Sequence, residues 1–181
     1  MSTREAFAVA SCVVFFGGCA GSTTRETPNL GRPATQAEVA GWDISIAPDG
    51  RGLPRGAGTA TEGALVYTQK CQACHGDKGV GGPNDRLVGG QGTLASNTPV
   101  RTVGSYWPYA TTVFDYVRRA MPFAQPLSLN DSEVYALTAY LLNLNGIIGA
   151  QDVMNAETLP KVKMPNRDNF ILVHPWSPRV P

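Results

Sequence analysis

The chain is short of the residues that most metal sites and nucleic-acid surfaces are built from. Its 181 residues include only two histidines and four cysteines, and 16% are charged. The formal net charge is +1, which supplies no basic face for nucleic acid and no strong pull toward an anionic membrane surface. No apolar run reaches the ~20 residues that a spanning helix needs. Cys12 and Cys19 fall within the first nineteen residues, and the other two cysteines sit three apart at Cys71 and Cys74. None is left over for a structural disulfide in the mature domain. The chain is 43% apolar, which fits one globular domain with extensions. Glycine (20) and proline (14) are plentiful, so turns and extended stretches should be common.

The first residues have the layout of an export signal. Arg4 precedes an apolar run from Ala6 to Phe16, and small residues follow from Gly17 to Gly21. Residues 1–18 are read as this signal. Phe16-Gly17-Gly18-Cys19 resembles a bacterial lipobox, which makes Cys19 a candidate for lipidation and a membrane tether through acyl chains. Residues 19–60 are polar and rich in Gly and Pro. They read as a tether followed by an extended arm, with Gly41–Ile46 as a short extended piece. Trp42 is expected to pack on its own domain.

The one stretch with strong chemical content is Cys71-Gln72-Ala73-Cys74-His75, the CxxCH signature of covalent haem attachment. Two thiols about one helical turn apart can add to the two vinyl groups of one porphyrin. The histidine after the second cysteine is then held against the ring, where its imidazole can bind iron. A zinc site needs about four ligands, and Cys12, Cys19 and His174 are the only other Cys or His residues. A thioredoxin-like pair needs a βαβ setting, whereas Thr61–Lys70 reads as a helix.

Three helices frame this stretch in an all-α domain over residues 61–148. The first, Thr61–Lys70, carries Gly63 and Tyr67 on the face of Cys71, with Thr61 as a partial cap. Gly63 admits a close helix neighbour. The second runs from Tyr109 to Ala120 with Val113, Tyr116 and Val117 as its apolar stripe. The third starts at Ser128-Leu129-Asn130-Asp131 as a capping box and buries Val134, Leu137, Thr138, Leu141 and Leu142. Gly146 stops it. Tyr140 should meet Gly63. Between His75 and the second helix lies a glycine-rich loop, Gly76–Gly90, able to hug a flat ring, with Leu87 packing on it.

For the sixth iron ligand the candidates are Met121, Met154, Met164 and His174. Met121 stands between a helix and Pro122, which stops the helix and turns Met121 into an extended conformation. Met154, Met164 and His174 lie in residues 149–181, a Pro-rich stretch without helical period, expected to extend along a partner. Arg101, Arg118, Arg119, Trp107 and Tyr109 are candidates for the haem propionates.

Gly63, Tyr67, CxxCH and the capped last helix with Tyr140 resemble a class I cytochrome c. Arg101–Tyr116, Arg118–Phe123, Asp131–Ile148, Leu159–Asn166 and the arm from Gly31 to Asp43 are similar to the cytochrome subunit of sulfite and sulfane dehydrogenases, including the Sox type. The resemblance implies one domain of three to five short helices around one covalent haem c, with extended arms at both ends. It maps the iron ligands onto His75 and Met121. It makes Pro83 the candidate whose carbonyl accepts the His75 Nδ–H. It implies a periplasmic electron carrier paired with a molybdenum-cofactor dehydrogenase subunit and delivering to a downstream cytochrome c or oxidase. The chain itself would then not be the catalyst. The alternative is a free-standing periplasmic or lipid-tethered shuttle. Some Sox-type relatives carry a second haem domain; here there is a single CxxCH.

Overall fold

The structure is a computed structural model that describes residues 30–171. The signal, Cys12, the lipobox-like run with Cys19, and the end of the tail with His174 lie outside the described residues. Within them are five α-helices: α1 (Gln36–Trp42), α2 (Ala60–Lys70), α3 (Gln72–His75), α4 (Ala110–Ala120) and α5 (Asp131–Leu144). Two-residue strands β1 (Ala57–Gly58) and β2 (Met154–Asn155) pair antiparallel, with Ala57 opposite Asn155 and Gly58 opposite Met154. The all-α expectation holds. Two compact units divide the chain between Val39 and Ala40, and the second contains α2–α5.

Three helix starts share one device, whereas α3 and α4 start without a side-chain cap. Thr59, not Thr61, caps α2. The Glu62 carboxylate accepts the Thr59 N–H at 2.7 Å, and the Thr59 hydroxyl accepts the Glu62 N–H at 3.4 Å. Asn130, not Ser128, caps α5 in the same reciprocal way with Glu133, at 3.0 and 2.8 Å. Each box satisfies two backbone amides that the first helical turn leaves open. The carboxylate of Glu62 is held below its usual range by the Thr59 amide. α1 was not expected at all. It begins with Thr35 and Glu38 in the same exchange, the Thr35 N–H reaching Glu38 at 2.8 Å.

The core is the crossing of α2 and α5. A Cβ added to Gly63 would fall inside the Ala136 carbonyl and stand 2.8 Å from the Tyr140 Cβ. Only glycine allows this approach. One turn on, the Tyr67 and Tyr140 rings meet at 5.3 Å. α4 packs on the other side of α5, with the Phe114 and Tyr135 rings 4.4 Å apart. Val113 and Val117 are buried as expected, but Tyr116 is not. Its place in the core is taken by Phe114, and Tyr116 instead meets Trp107 edge-on at 5.7 Å. α5 ends at Asn145. Gly146 has φ +70°, and the Gly146 and Ile147 amides bond back to Asn143 and Leu142 at 2.9 and 3.0 Å, a Schellman closure.

The two arms depart furthest from expectation. Gly41 and Trp42 are helical rather than extended, and Trp42 is 87% exposed instead of packed on its domain. Ile46 is in the core and Leu53 packs against it. On the C-terminal side Met154, Leu159, Val162 and Met164 are all buried. The stretch 154–166 therefore belongs to this domain's core and is not a loose tail. The packed unit runs past the expected limits of 61 and 148 because β1 and β2 tie the two arms together.

Candidate haem site

α2 runs straight into the attachment signature. The Cys71 amide closes the last turn of α2 on the Tyr67 carbonyl at 2.8 Å, and the His75 amide bonds the Cys71 carbonyl at 3.0 Å. This single turn, α3, fixes the backbone that carries both thiols. Cys71 is half-buried against the core and Cys74 is exposed, and both are free of disulfides. Burial, and then the neighbouring Cys74, push the Cys71 thiol up to about 11. Among the described residues no three His, Cys, Asp or Glu gather into an ion site.

The His75 Nδ1 lies 2.8 Å from the Asp85 carbonyl oxygen. A carbonyl only accepts, so Nδ1 carries the proton and donates. The lone pair is then on Nε2, the nitrogen free to bind iron. Pro83 was the expected acceptor, and the structure moves this role two residues on. The Asn84 amide bonds the Cys74 carbonyl at 2.9 Å, and the Gly82 amide bonds the Asn84 carbonyl at 3.1 Å. That turn leaves Pro83 exposed at its tip and brings the Asp85 carbonyl to the imidazole. Behind His75 the buried Tyr67 hydroxyl donates to the Gly76 carbonyl at 2.9 Å. Burial, reinforced by Cys71, pushes this phenol up to about 12.

One functional residue escaped sequence reasoning. Asn145, at the end of α5, accepts the Gly89 N–H at 3.0 Å and donates to the carbonyls of Leu87 at 3.2 Å and Leu141 at 2.8 Å. It pins the loop carrying Leu87, which packs against the core. The signal was an Asn before the helix-ending Gly, which reads only as a cap.

Met121 follows the last residue of α4. Its φ and ψ of −121° and 148° are extended, as Pro122 requires, and its amide bonds the Val117 carbonyl at 3.1 Å. It is partly buried against the same core that holds Cys71 and Leu87. Two propionate candidates are paired within the chain instead. Arg118 reaches Asp131 at 3.0 Å, and Arg119 pairs with Asp115. Arg101 lies over the Tyr106 ring at 5.6 Å, and the Tyr109 ring is covered by Arg167 at 4.5 Å.

Two free thiols on one turn, an Nε2 lone pair fixed beside them, and a helix pair closed through a glycine suit a covalent porphyrin and little else. The fold and site define a class I c-type cytochrome. The family described as cytochrome c oxidase, cbb3-type, subunit III matches residues 58–141. A chain of the sulfane dehydrogenase SoxCD from Paracoccus pantotrophus is 40% identical, with a TM-score of 0.76. That match covers 80% of this chain and 72% of the other. No curated protein sequence matches the chain. The protein belongs to the Sox-type class I cytochromes c, binds haem c covalently, and is an electron-transfer subunit. No helix of the described residues is long and apolar enough to cross a membrane.

Proposed function

We propose that this cytochrome takes electrons from a molybdenum-cofactor sulfane or sulfite dehydrogenase subunit and passes them to a downstream cytochrome c or oxidase in the periplasm. The observation that carries the reading is the 40% identity to a chain of a sulfane dehydrogenase. Cys71 and Cys74 anchor the porphyrin, His75 Nε2 binds iron, and the Met121 thioether fills the far side. Asp85 holds the His75 proton on Nδ1 through its carbonyl, which raises the basicity of Nε2. When bound, the haem stores and releases one electron at a time, with a potential raised by a thioether ligand. The chain's part is to hold the ring, exclude a substrate from the iron and present a contact surface. Phe123, 87% exposed, and Leu127, 61% exposed, stand just beyond Met121. Exposed apolar side chains grouped in this way suit a transient protein contact. The exported chain, with the candidate signal at 1–18, is tethered through Cys19 if that residue is lipidated.

The test is purification of the native protein from its source under mild conditions. Recovery with a molybdenum-containing subunit, and reduction of the cytochrome on adding a sulfane or sulfite substrate, is the expected result. Recovery alone, with no reduction, returns the protein to the free-shuttle reading.

A further inference from the structure

α4 ends in Met121, and its buried side is tied to a backbone segment from far upstream. The Asp115 carboxylate accepts the Ile46 N–H at 3.0 Å. One turn earlier, the Thr111 hydroxyl donates to the Pro48 carbonyl at 3.0 Å. One turn later, Arg119 pairs with the other Asp115 oxygen. Thr111, Asp115 and Arg119 are spaced i, i+4, i+8 and form one stripe that stops two residues short of Met121. Asp115 is only 8% exposed, and the Ile46 side chain is itself in the core. A buried carboxylate bonded to a backbone amide is costly to open, because both groups would lose their partners. On its far side Met121 leads into residues 123–128, which are exposed and hold only local turn bonds. The backbone at Met121 is therefore held from the α4 side, by these bonds and by the Arg118–Asp131 pair, with the side chain packed on the core.

We propose that residues 46–48 act as a strap on α4, and that Asp115 is a positioning residue that keeps the Met121 thioether on the iron. This rests on the reading of Met121 as sixth ligand. A loosened strap lets the end of α4 shift, and the thioether then leaves the iron more often. The ferric iron becomes open to a competing ligand in proportion to that open fraction.

The experiment titrates ferric holoprotein with imidazole and follows the visible spectrum. Asp115→Ala should bind imidazole about tenfold more tightly than the parent, the effect of one lost hydrogen bond to a charged group. Thr111→Val should shift it in the same direction by less. Tyr135→Phe is the control: it frees the Pro54 carbonyl from α5, where the tyrosine hydroxyl donates at 2.9 Å, but keeps the ring that packs on Phe114 of α4 and both strap bonds. It should lower the melting temperature yet leave imidazole affinity unchanged. If Asp115→Ala does not fold, Thr111→Val alone decides. Unaltered affinity in the strap variants overturns the proposal, and so does an equal gain in Tyr135→Phe, which would show mere loosening. Met121→Ala separates the two layers. If it leaves imidazole affinity at the parent value, the ligand reading itself fails. If it raises affinity while the strap variants stay flat, only the strap fails.

Discussion

The attachment turn and the end of α4, which carries the proposed sixth ligand, are built by different means. On the attachment side, α2 and α5 touch backbone to backbone at Gly63 and Ala136, and the Tyr67–Tyr140 ring pair sits beside the thiols. His75 is held there by a main-chain carbonyl, and Gly76 by the Tyr67 hydroxyl. Met121 hangs from the end of α4, ahead of an exposed turn, and α4 is held by side chains that bond residues 46–48. The first side is rigid because its contacts are steric and short. The second rests on a few polar bonds. A covalent anchor needs a fixed frame, whereas a ligand that tunes a potential benefits from one that can be set.

Substitutions should divide along this line. Gly63→Val should do most harm. There is no room for a side chain at the crossing, and overpacking of this kind costs about 3 kcal/mol or more. We expect little folded holoprotein, and a parental urea midpoint would break the account of the crossing. Asn145→Ala should come next, at roughly 1–2 kcal/mol, since the part-buried Gly89 amide loses its partner and the Leu87 and Leu141 carbonyls are left with one backbone amide each. A loss well under 1 kcal/mol in denaturant titration would remove Asn145 from its role.

Tyr67→Phe should cost about 1 kcal/mol at neutral pH, through the bond to Gly76. It has a second signature. Burial raises the phenols of Tyr67 and Tyr135 to about 12, above the unfolded value of about 10. Their neutral forms therefore favour the fold at all pH below about 10, and that contribution disappears as pH rises through about 12. Stability measured between these limits should fall less steeply in Tyr67→Phe than in the parent; an identical slope would deny the burial its effect. Phe123→Ala should have the smallest effect on stability, within about 0.5 kcal/mol, because the ring is 87% exposed. Its effect should appear instead in the rate of electron exchange with a partner protein. A large loss of stability with normal exchange would reverse that assignment.

α2, α4 and α5 were legible because each repeats its apolar residues locally, whereas α1, which buries none of its residues, was not. Their starts were displaced by one or two residues. The reciprocal pattern is Thr or Asn with Glu three residues on, and it stands in plain view at Thr35–Glu38, Thr59–Glu62 and Asn130–Glu133. Ser128 and Asp131 offer a competing pattern of the same kind two residues earlier. The attachment turn was legible from its five residues alone. The His75 partner was not, because a main-chain carbonyl acceptor has no side-chain signature, and any residue of the loop around Pro83 can supply one. The arms were least legible. Ile46, Met154, Leu159 and Met164 are buried singly, by contacts distant in sequence, so no period announces them.

The most direct test of the ligation scheme is the near-infrared absorption of the ferric holoprotein, where a thioether on iron gives its own band. The band should be present in the parent, absent in Met121→Ala, and retained in Met154→Leu and Met164→Leu, whose methionines are buried packing. A parent without the band, or a Met121→Ala protein that keeps it, would contradict the account.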